Sequence, residues 1–487
     1  MDQTTKSPSL ASNFLFSLLL NISKIAAPIL IIPYVYRQVI PEDMGRLQLA
    51  LTVMTYFYVV GDLGTYIYGF REVCHLRQNR AKLNNFFTHL FFVRTIINLL
   101  ALISFIVYAN YIGFQEINPV YYTIAGIQIF GTFFNVEWVF EGLEKFKFIS
   151  IKTLVLRFLI IIFTFIFING ESADELYLLS ICGFILLNNL ISFVNVFKYV
   201  SFTRIKRLNF GHLKRMIIIF FMINWTLLYF QLDKLILGEK KNYFDIIIYV
   251  LGERVVLLCA SVIFSFIMVV TPKLTMYLKD SPEAYHVGLK KTFEFICLLL
   301  FPFCCFIVIS SAEILLILGG ESYQDGIVLF TIFCSYIILY IFMESLKTNV
   351  FLVLRKESLY FVIILIAGIL NLLFKYFFFE ALSSIQILFS TLIVIALCLL
   401  VLFMIVYKKF NITVFSKVAV SYFLYSIPLY MLYFVQWENS YISLVFNGLS
   451  IVLFFGVVLY FNKDVMLIKI FEIIKHLAVF QKWNKLS

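Results

Sequence analysis

Residues 10–36 read LASNFLFSLLLNISKIAAPILIIPYVY. About 20 predominantly apolar residues are enough to cross a bilayer as a helix, and this stretch exceeds that while carrying one charge, Lys24. The polar Met1–Ala11 ahead of it lacks the form of a secretory leader, and Leu10–Arg37 is too long for a cleavable apolar region, so the segment is expected to be a retained membrane helix. Asn21 lies one helical turn before Lys24, so the two side chains share a face. A spanning helix with a cation at its middle fixes the class of fold and raises the question of what that cation faces.

The rest of the chain repeats the pattern. Of 487 residues, 62% are hydrophobic and 14% charged, against roughly 25% charged in soluble domains. Thirteen further apolar segments follow, at about 44–69, 85–112, 117–141, 149–168, 174–199, 216–237, 245–272, 292–318, 326–351, 358–379, 386–407, 418–436 and 441–461. The loops between them alternate in charge. One set, with both termini, carries 28 of the 39 Lys and Arg residues; the other carries Arg37, Arg46, Lys240 and Lys241. The positive-inside rule then places both termini and the basic loops in the cytoplasm. The expected fold is an all-α polytopic membrane protein of about 14 spans.

Six cations between Lys198 and Arg215 make the most basic connection, and it divides the first twelve spans into two sets of six. That suggests two pseudo-symmetric six-helix bundles, 1–205 and 206–407, an additional pair of spans over 408–461, and a tail from 462 to 487. The tail alternates apolar and basic residues, as an interfacial helix on an anionic inner leaflet does. Internal symmetry at the residue level is slight, with Asn21 and Asn224 at matching places.

Seven cations fall inside apolar segments, those near a segment's approximate edge (Arg46, Lys152 and Lys198) being counted with the loops: Lys24, Arg94, Arg157, Lys234, Arg254, Lys347 and Lys375. A cation facing lipid at mid-membrane costs roughly 2.5–3.5 kcal/mol, so seven would cost roughly 20 kcal/mol, more than the stability of a typical domain. They are expected to face partners or a wet cavity that holds an anion. Each also has a plainer reading. Lys24 could pair with an acid such as Asp62, Arg94 (with Asn98 a turn away) and Arg157 could snorkel to the interface, and Lys375 could be an interfacial anchor. Lys347 lies within a turn of Glu344, where a local ion pair is the plainer account. Glu253–Arg254 and Asp233–Lys234 are adjacent and must point to different partners.

Among intramembrane acids, Asp62 and Glu313 are candidates for ion coupling. Glu137 and Glu141 share a helical face, where repulsion could create a proton site, although pairing with basic groups at the cytoplasmic end is the plainer reading. None of the eight cysteines has the spacing of a metal site or a disulfide framework, so neither metal nor cofactor is expected. A net charge of +11 would suit nucleic acid, but no Lys/Arg-rich soluble module exists to bind it. GxxxxGK[ST], HExxH, GxSxG and GxGxxG are absent, and the loops are too short for a catalytic domain. Transport, rather than enzyme chemistry, is the leading class.

Several motifs appear in a recognisable order. They are Asn21-x-x-Lys24, Pro33-Tyr34-x-x-Arg37, Gly45, Asp62-x-Gly64, Gly69-x-Arg71-Glu72, Glu137-Trp138-x-Phe140-Glu141-Gly142-x-Glu144-Lys145-Phe146, Tyr229-Phe230-x-x-Asp233-Lys234-x-Ile236-Leu237 and Thr271-Pro272-Lys273-Leu274. This run resembles Wzx-type O-antigen flippases, the polysaccharide transporter branch of the multidrug/oligosaccharidyl-lipid/polysaccharide exporter superfamily. The resemblance covers residues 10–280 by motif and the remainder by topology. It implies a two-lobed fold working by alternating access in a bacterial inner membrane. The implied cargo is an undecaprenyl-pyrophosphate-linked oligosaccharide, moved from the cytoplasmic to the periplasmic leaflet, with Lys24 matching a cationic cavity position by place. It also implies a proton or sodium ion as coupling partner and a glycan polymerase machinery as neighbour. Fourteen spans, against the usual twelve, resemble lipid II flippases. The rival readings are a drug or cation antiporter of the same superfamily, which calls for an acidic cavity, and a membrane glycan polymerase or ligase, which calls for a large outer loop.

Overall fold

A computed structural model describes residues 27–204, 210–435 and 439–464. Asn21, Lys24 and the expected interfacial tail beyond 464 lie outside the described residues. Every regular element among the described residues is helical, and the chain is an all-α polytopic membrane protein.

Ten helices there are long and apolar enough to cross a membrane: Pro41–Leu76, Arg80–Tyr111, Phe146–Phe167, Ala173–Val196, Tyr243–Asp280, Pro282–Ile309, Glu321–Phe351, Glu357–Phe377, Ser384–Phe410 and Ser440–Phe461. They fall on ten of the fourteen expected segments. Of the other four, the first is helical over 27–38 where it is described. The remaining three are interrupted. Segment 117–141 is Pro119–Gly131, a 3-10 turn at Thr132–Phe134, extended Asn135, then Glu137–Gly142. Segment 216–237 is Leu213–Ile223, a turn at Trp225–Leu228, and Phe230–Glu239. Segment 418–436 is Lys417–Ser426 followed by 3-10 helix Ile427–Phe434, which carries Pro428 in its first turn.

A helix broken inside hydrocarbon must give its freed backbone groups new partners. The Arg94 guanidinium donates to the Asn135 carbonyl. Asn98 donates to Ile129 O at 3.3 Å, Asn189 to Gly131 O at 3.0 Å, and the Tyr56 hydroxyl to Leu227 O at 2.7 Å. Several of the polar side chains buried in these helices are therefore explained by the breaks.

The chain divides into two compact units. The first comprises Met1–Val250, Leu318–Gly326 and Ile364–Thr391. Its aromatic core gathers Trp138, Phe140, Phe86, Phe87 and Tyr68. The short helices Thr65–Leu76 and Glu137–Gly142 meet there through glycines. A Cβ on Gly69 would lie 2.6 Å from the Trp138 ring, and one on Gly142 would lie 2.5 Å from Val73. Gly64 turns the chain between Pro41–Asp62 and Thr65–Leu76 at φ +69, a left-handed conformation, and a Cβ on it would lie 2.8 Å from Met216 O. On the opposite loop, Glu116 accepts from Tyr243 at 3.0 Å and from Lys241, and these two donors hold its carboxyl below the usual range.

Beside that loop the backbone of Gly45 packs against Tyr243, where an added Cβ would sit 1.9 Å from the Tyr243 carbonyl oxygen. Backbone cannot swing aside, so Gly45→Ala is expected to cost about 1–3 kcal/mol by overpacking. It would be read as a lower thermal midpoint in detergent. Gly126→Ala, whose Cβ would meet the Phe105 ring at an ordinary 3.5 Å, is the near-neutral comparison.

The second unit comprises Leu251–Ile317, Ile327–Ile363 and Leu392–Ser487. Pro282–Ile309 is its axle, packed by Ile327–Ser335, Ile337–Leu346, Lys417–Ser426 and Ser440–Phe461. A π-turn at Lys347–Phe351 is braced there by the Tyr285 hydroxyl, which donates to Asn349 O, and by Thr271, which donates to Asn349 Oδ1, each at 2.8 Å.

Candidate functional site

Three charged clusters lie inside the first unit. In the first, Arg94 on Arg80–Tyr111 forms an ion pair with Asp62 at 3.2 Å and reaches the Asn135 carbonyl with its other amino group. Arg94 is 3% exposed, so it does not snorkel: its charge is spent on a carboxylate and a broken backbone. Asp62, paired with Arg94, is accounted for without Lys24.

The second cluster surrounds Glu137. Its carboxylate accepts from Lys152, from Asn188 at 2.8 Å and from Ser192 at 3.4 Å, and Lys152 also donates to Asn188 O at 3.1 Å. Lys152 is the residue that the sequence reading passed over. It sits in the first two turns of Phe146–Phe167 and was counted with the cytoplasmic loop cations, yet it is buried. The signal available was Glu137, an intramembrane acid in need of a counter-charge. Glu141, one turn on, accepts from the Tyr66 hydroxyl. The two acids thus have separate partners. Beside them is a cavity of about 330 Å³ whose polar lining is Tyr66, Glu137, Glu141, Thr153, Arg157 and Asn188, with Leu156 and Phe184 among its apolar walls. Arg157 is half-buried in this wall and within electrostatic reach of Glu137. Lys152 and Arg157 balance the two carboxylates of this cluster, and of the two cations Arg157 lines the open-sided cavity.

The third cluster joins three helices. Asp233 on Phe230–Glu239 pairs with Lys375 on Glu357–Phe377, and Thr391 on Ser384–Phe410 donates to the second Asp233 oxygen at 2.7 Å. The ion pair is wholly closed to solvent, both side chains being 0% exposed. Lys375 is therefore not an interfacial anchor. Lys234, also buried, points elsewhere and donates to Gln231 at 3.3 Å, as adjacency requires. Over the three clusters, five cations (Arg94, Lys152, Arg157, Lys234, Lys375) meet four carboxylates (Asp62, Glu137, Glu141, Asp233).

In the second unit Lys347 pairs with Glu344 at 2.5 Å, the local arrangement expected for it. Arg254, in the same unit, is half-buried, and Glu253 and Glu344 both lie within electrostatic reach of Tyr336 and Tyr340. Glu313 accepts from Ser443 at 2.6 Å. Among the described residues no cluster of three or more His, Cys, Asp or Glu could hold a metal ion.

These clusters neutralise and orient charge within the unit. Comparison with known proteins agrees on the kind of fold. Residues 10–278 match a family described as polysaccharide biosynthesis protein. Over 181 residues the chain is 23% identical to a putative O-antigen transporter of Escherichia coli (strain K12), a match covering 37% of this chain and 42% of that one, so under half of the relative's length. Among solved structures, the lipid II flippase MurJ in an inward closed conformation aligns with a TM-score of 0.69 at 14% identity, over 92% of this chain and 99% of that one. A MATE structure in the bent conformation aligns at 0.51 and 13%, over 87% and 96%. A MOP superfamily transporter from Pyrococcus furiosus aligns at 0.50 and 11%, over 86% and 96%. At such identities the likeness is one of fold.

Proposed function

The chain belongs to the polysaccharide biosynthesis protein family, and from that premise we propose that it is a flippase, not an enzyme. It carries an undecaprenyl-pyrophosphate-linked oligosaccharide from the cytoplasmic to the periplasmic leaflet of a bacterial inner membrane by alternating access. The observation that carries this reading is the extent of the fold likeness. Nearly the whole chain, well beyond the residues that match the family, follows a lipid II flippase. The charge balance supports it. A pyrophosphate cannot cross hydrocarbon unaided, and the three clusters of the first unit gather five cations against four carboxylates.

The described cations inside apolar segments all have partners, and those in a direct ion pair with a carboxylate are set apart from the rest. Arg94, Lys347 and Lys375 are committed to Asp62, Glu344 and Asp233, and serve as framework. Lys24 with Asn21, Arg157, Lys234 and Arg254 are the proposed contacts for the diphosphate and the first sugars. Arg157, on the wall of an open-sided cavity of about 330 Å³, is the best placed of these among the described residues.

The test is direct. Deleting the protein should leave lipid-linked glycan accumulating on the cytoplasmic leaflet, whereas loss of glycan synthesis would point to an enzyme. Lys24→Ala should abolish surface glycan with the protein level unchanged, and Arg157→Ala should reduce it more than Arg157→Lys. Normal glycan display by the Lys24→Ala strain would sink the proposed role of that lysine.

A further inference from the structure

A larger cavity, of about 750 Å³, opens in the first unit where Phe230–Glu239 and Glu357–Phe377 end. That volume lies within the roughly 300–1,000 Å³ of ligand cavities. Its lining is mostly apolar, with Leu232, Ile236, Leu372, Tyr376 and Phe378 among the walls. Lys375 also borders it, but the ammonium is held by Asp233 and Thr391, so its charge is already matched.

The mouth of this cavity is charged and aromatic. Glu239 is the last residue of Phe230–Glu239, and Glu380 stands in the 3-10 turn Phe379–Ala381. Both line the cavity, both are exposed, and neither forms an ion pair among the described residues. Lys240 comes to the same mouth, its ammonium 4.8 Å from the centre of the Phe379 ring. Tyr376 and Phe377 are 75% and 74% exposed. The run Tyr376-Phe377-Phe378-Phe379 thus ends its helix as aromatic belts do at a membrane–water interface. The loops at this end, 238–244 and 380–385, belong to the set that the charge pattern assigns to the periplasm.

We propose that this cavity binds one outer-leaflet phospholipid with a primary amine in its headgroup, of the phosphatidylethanolamine class. An acyl chain lies against Leu232, Ile236 and Leu372, where its methylenes leave water. The headgroup ammonium, with three N–H donors, meets Glu239 and Glu380, and the phosphodiester meets Lys240. The charge pattern selects this class of lipid. Two carboxylates against one available cation leave the mouth acidic, which disfavours an anionic headgroup, the diphosphate of the proposed cargo included. A zwitterion matches both signs at once. Exposed charge contacts are individually weak, so they choose the headgroup while the apolar walls hold the lipid. Seated there, the lipid covers the ends of two helices that the Asp233–Lys375 pair joins, and binding stabilises the fold.

The experiment is native mass spectrometry of the full-length protein released from nanodiscs holding equal parts of phosphatidylethanolamine and phosphatidylglycerol. Wild type should retain one phosphatidylethanolamine in preference to phosphatidylglycerol. Glu239→Gln with Glu380→Gln should lose that preference, and since both positions are exposed the delipidated variant should keep the wild-type thermal midpoint. Leu372→Trp, which narrows the cavity and leaves its charges in place, should lower retention of both lipids. Phosphatidylethanolamine added to delipidated wild type should raise the thermal midpoint, whereas glycerophosphoethanolamine, the same headgroup without chains, should leave it unchanged. Equal retention of the two lipids by wild type overturns the proposal, as does an unchanged preference in the double glutamine variant. Stabilisation by the chainless headgroup would also overturn it. The readout needs no cargo, so its failure and failure of the flippase reading are separate results.

Discussion

Lys375→Ala should cost about 3–5 kcal/mol of stability, because it strands the buried Asp233 carboxylate without its counter-charge. Both side chains of this pair are wholly buried, and the second Asp233 oxygen has only Thr391 to serve it. The effect should appear as loss of folded protein from membranes and a large drop in thermal midpoint in detergent. Asp233→Ala should be nearly as damaging, since it strands the ammonium instead. The informative variant is the double one. Lys375→Met with Asp233→Leu removes both charges and keeps the volume, and replacing a buried pair by apolar groups is often neutral or stabilising. Recovery of stability in that double variant would mark the pair as a framework clip among three helices. A double variant as unstable as the singles would contradict this, showing that the charges themselves hold the segment in place.

The helix pattern was legible because hydrocarbon leaves little choice. A segment of apolar residues long enough to span has to satisfy its own backbone, and the ten span-length helices fall where the hydropathy put them. The breaks were less legible. Nothing at Thr132–Asn135 is a proline or a glycine run, and that break is stabilised from outside, by Arg94, Asn98 and Asn189 on neighbouring helices. A side chain's distant partner is a property of the fold, not of its own segment. Lys347 and Glu344 could be matched from spacing alone because one helix carries both. Asp233 and Lys375 lie 142 positions apart, and no periodicity connects them. Lys152 was misassigned for the same reason. It lies at the edge of its apolar segment, and only Glu137, fifteen positions away across a turn, draws it inward.

Arg94→Ala should be the other severe substitution, at a further cost of about 3–5 kcal/mol, and its value lies in separating two roles that the sequence could not. The guanidinium does two things at once: it neutralises Asp62 and serves the carbonyl of Asn135, which the broken helix leaves exposed. A lysine supplies the charge but not the planar fork, so Arg94→Lys should recover only part of the loss. Asp62→Asn with Arg94→Gln removes the charges and leaves a donor for the backbone, and should be milder than Arg94→Ala. Surface glycan per folded molecule then decides the rest. If it stays normal in the milder variant, Arg94 holds the fold and the head group is met by other cations. If it is lost while the thermal midpoint and membrane level are kept, the guanidinium exchanges Asp62 for cargo during the cycle, and the ion pair seen here is its resting arrangement.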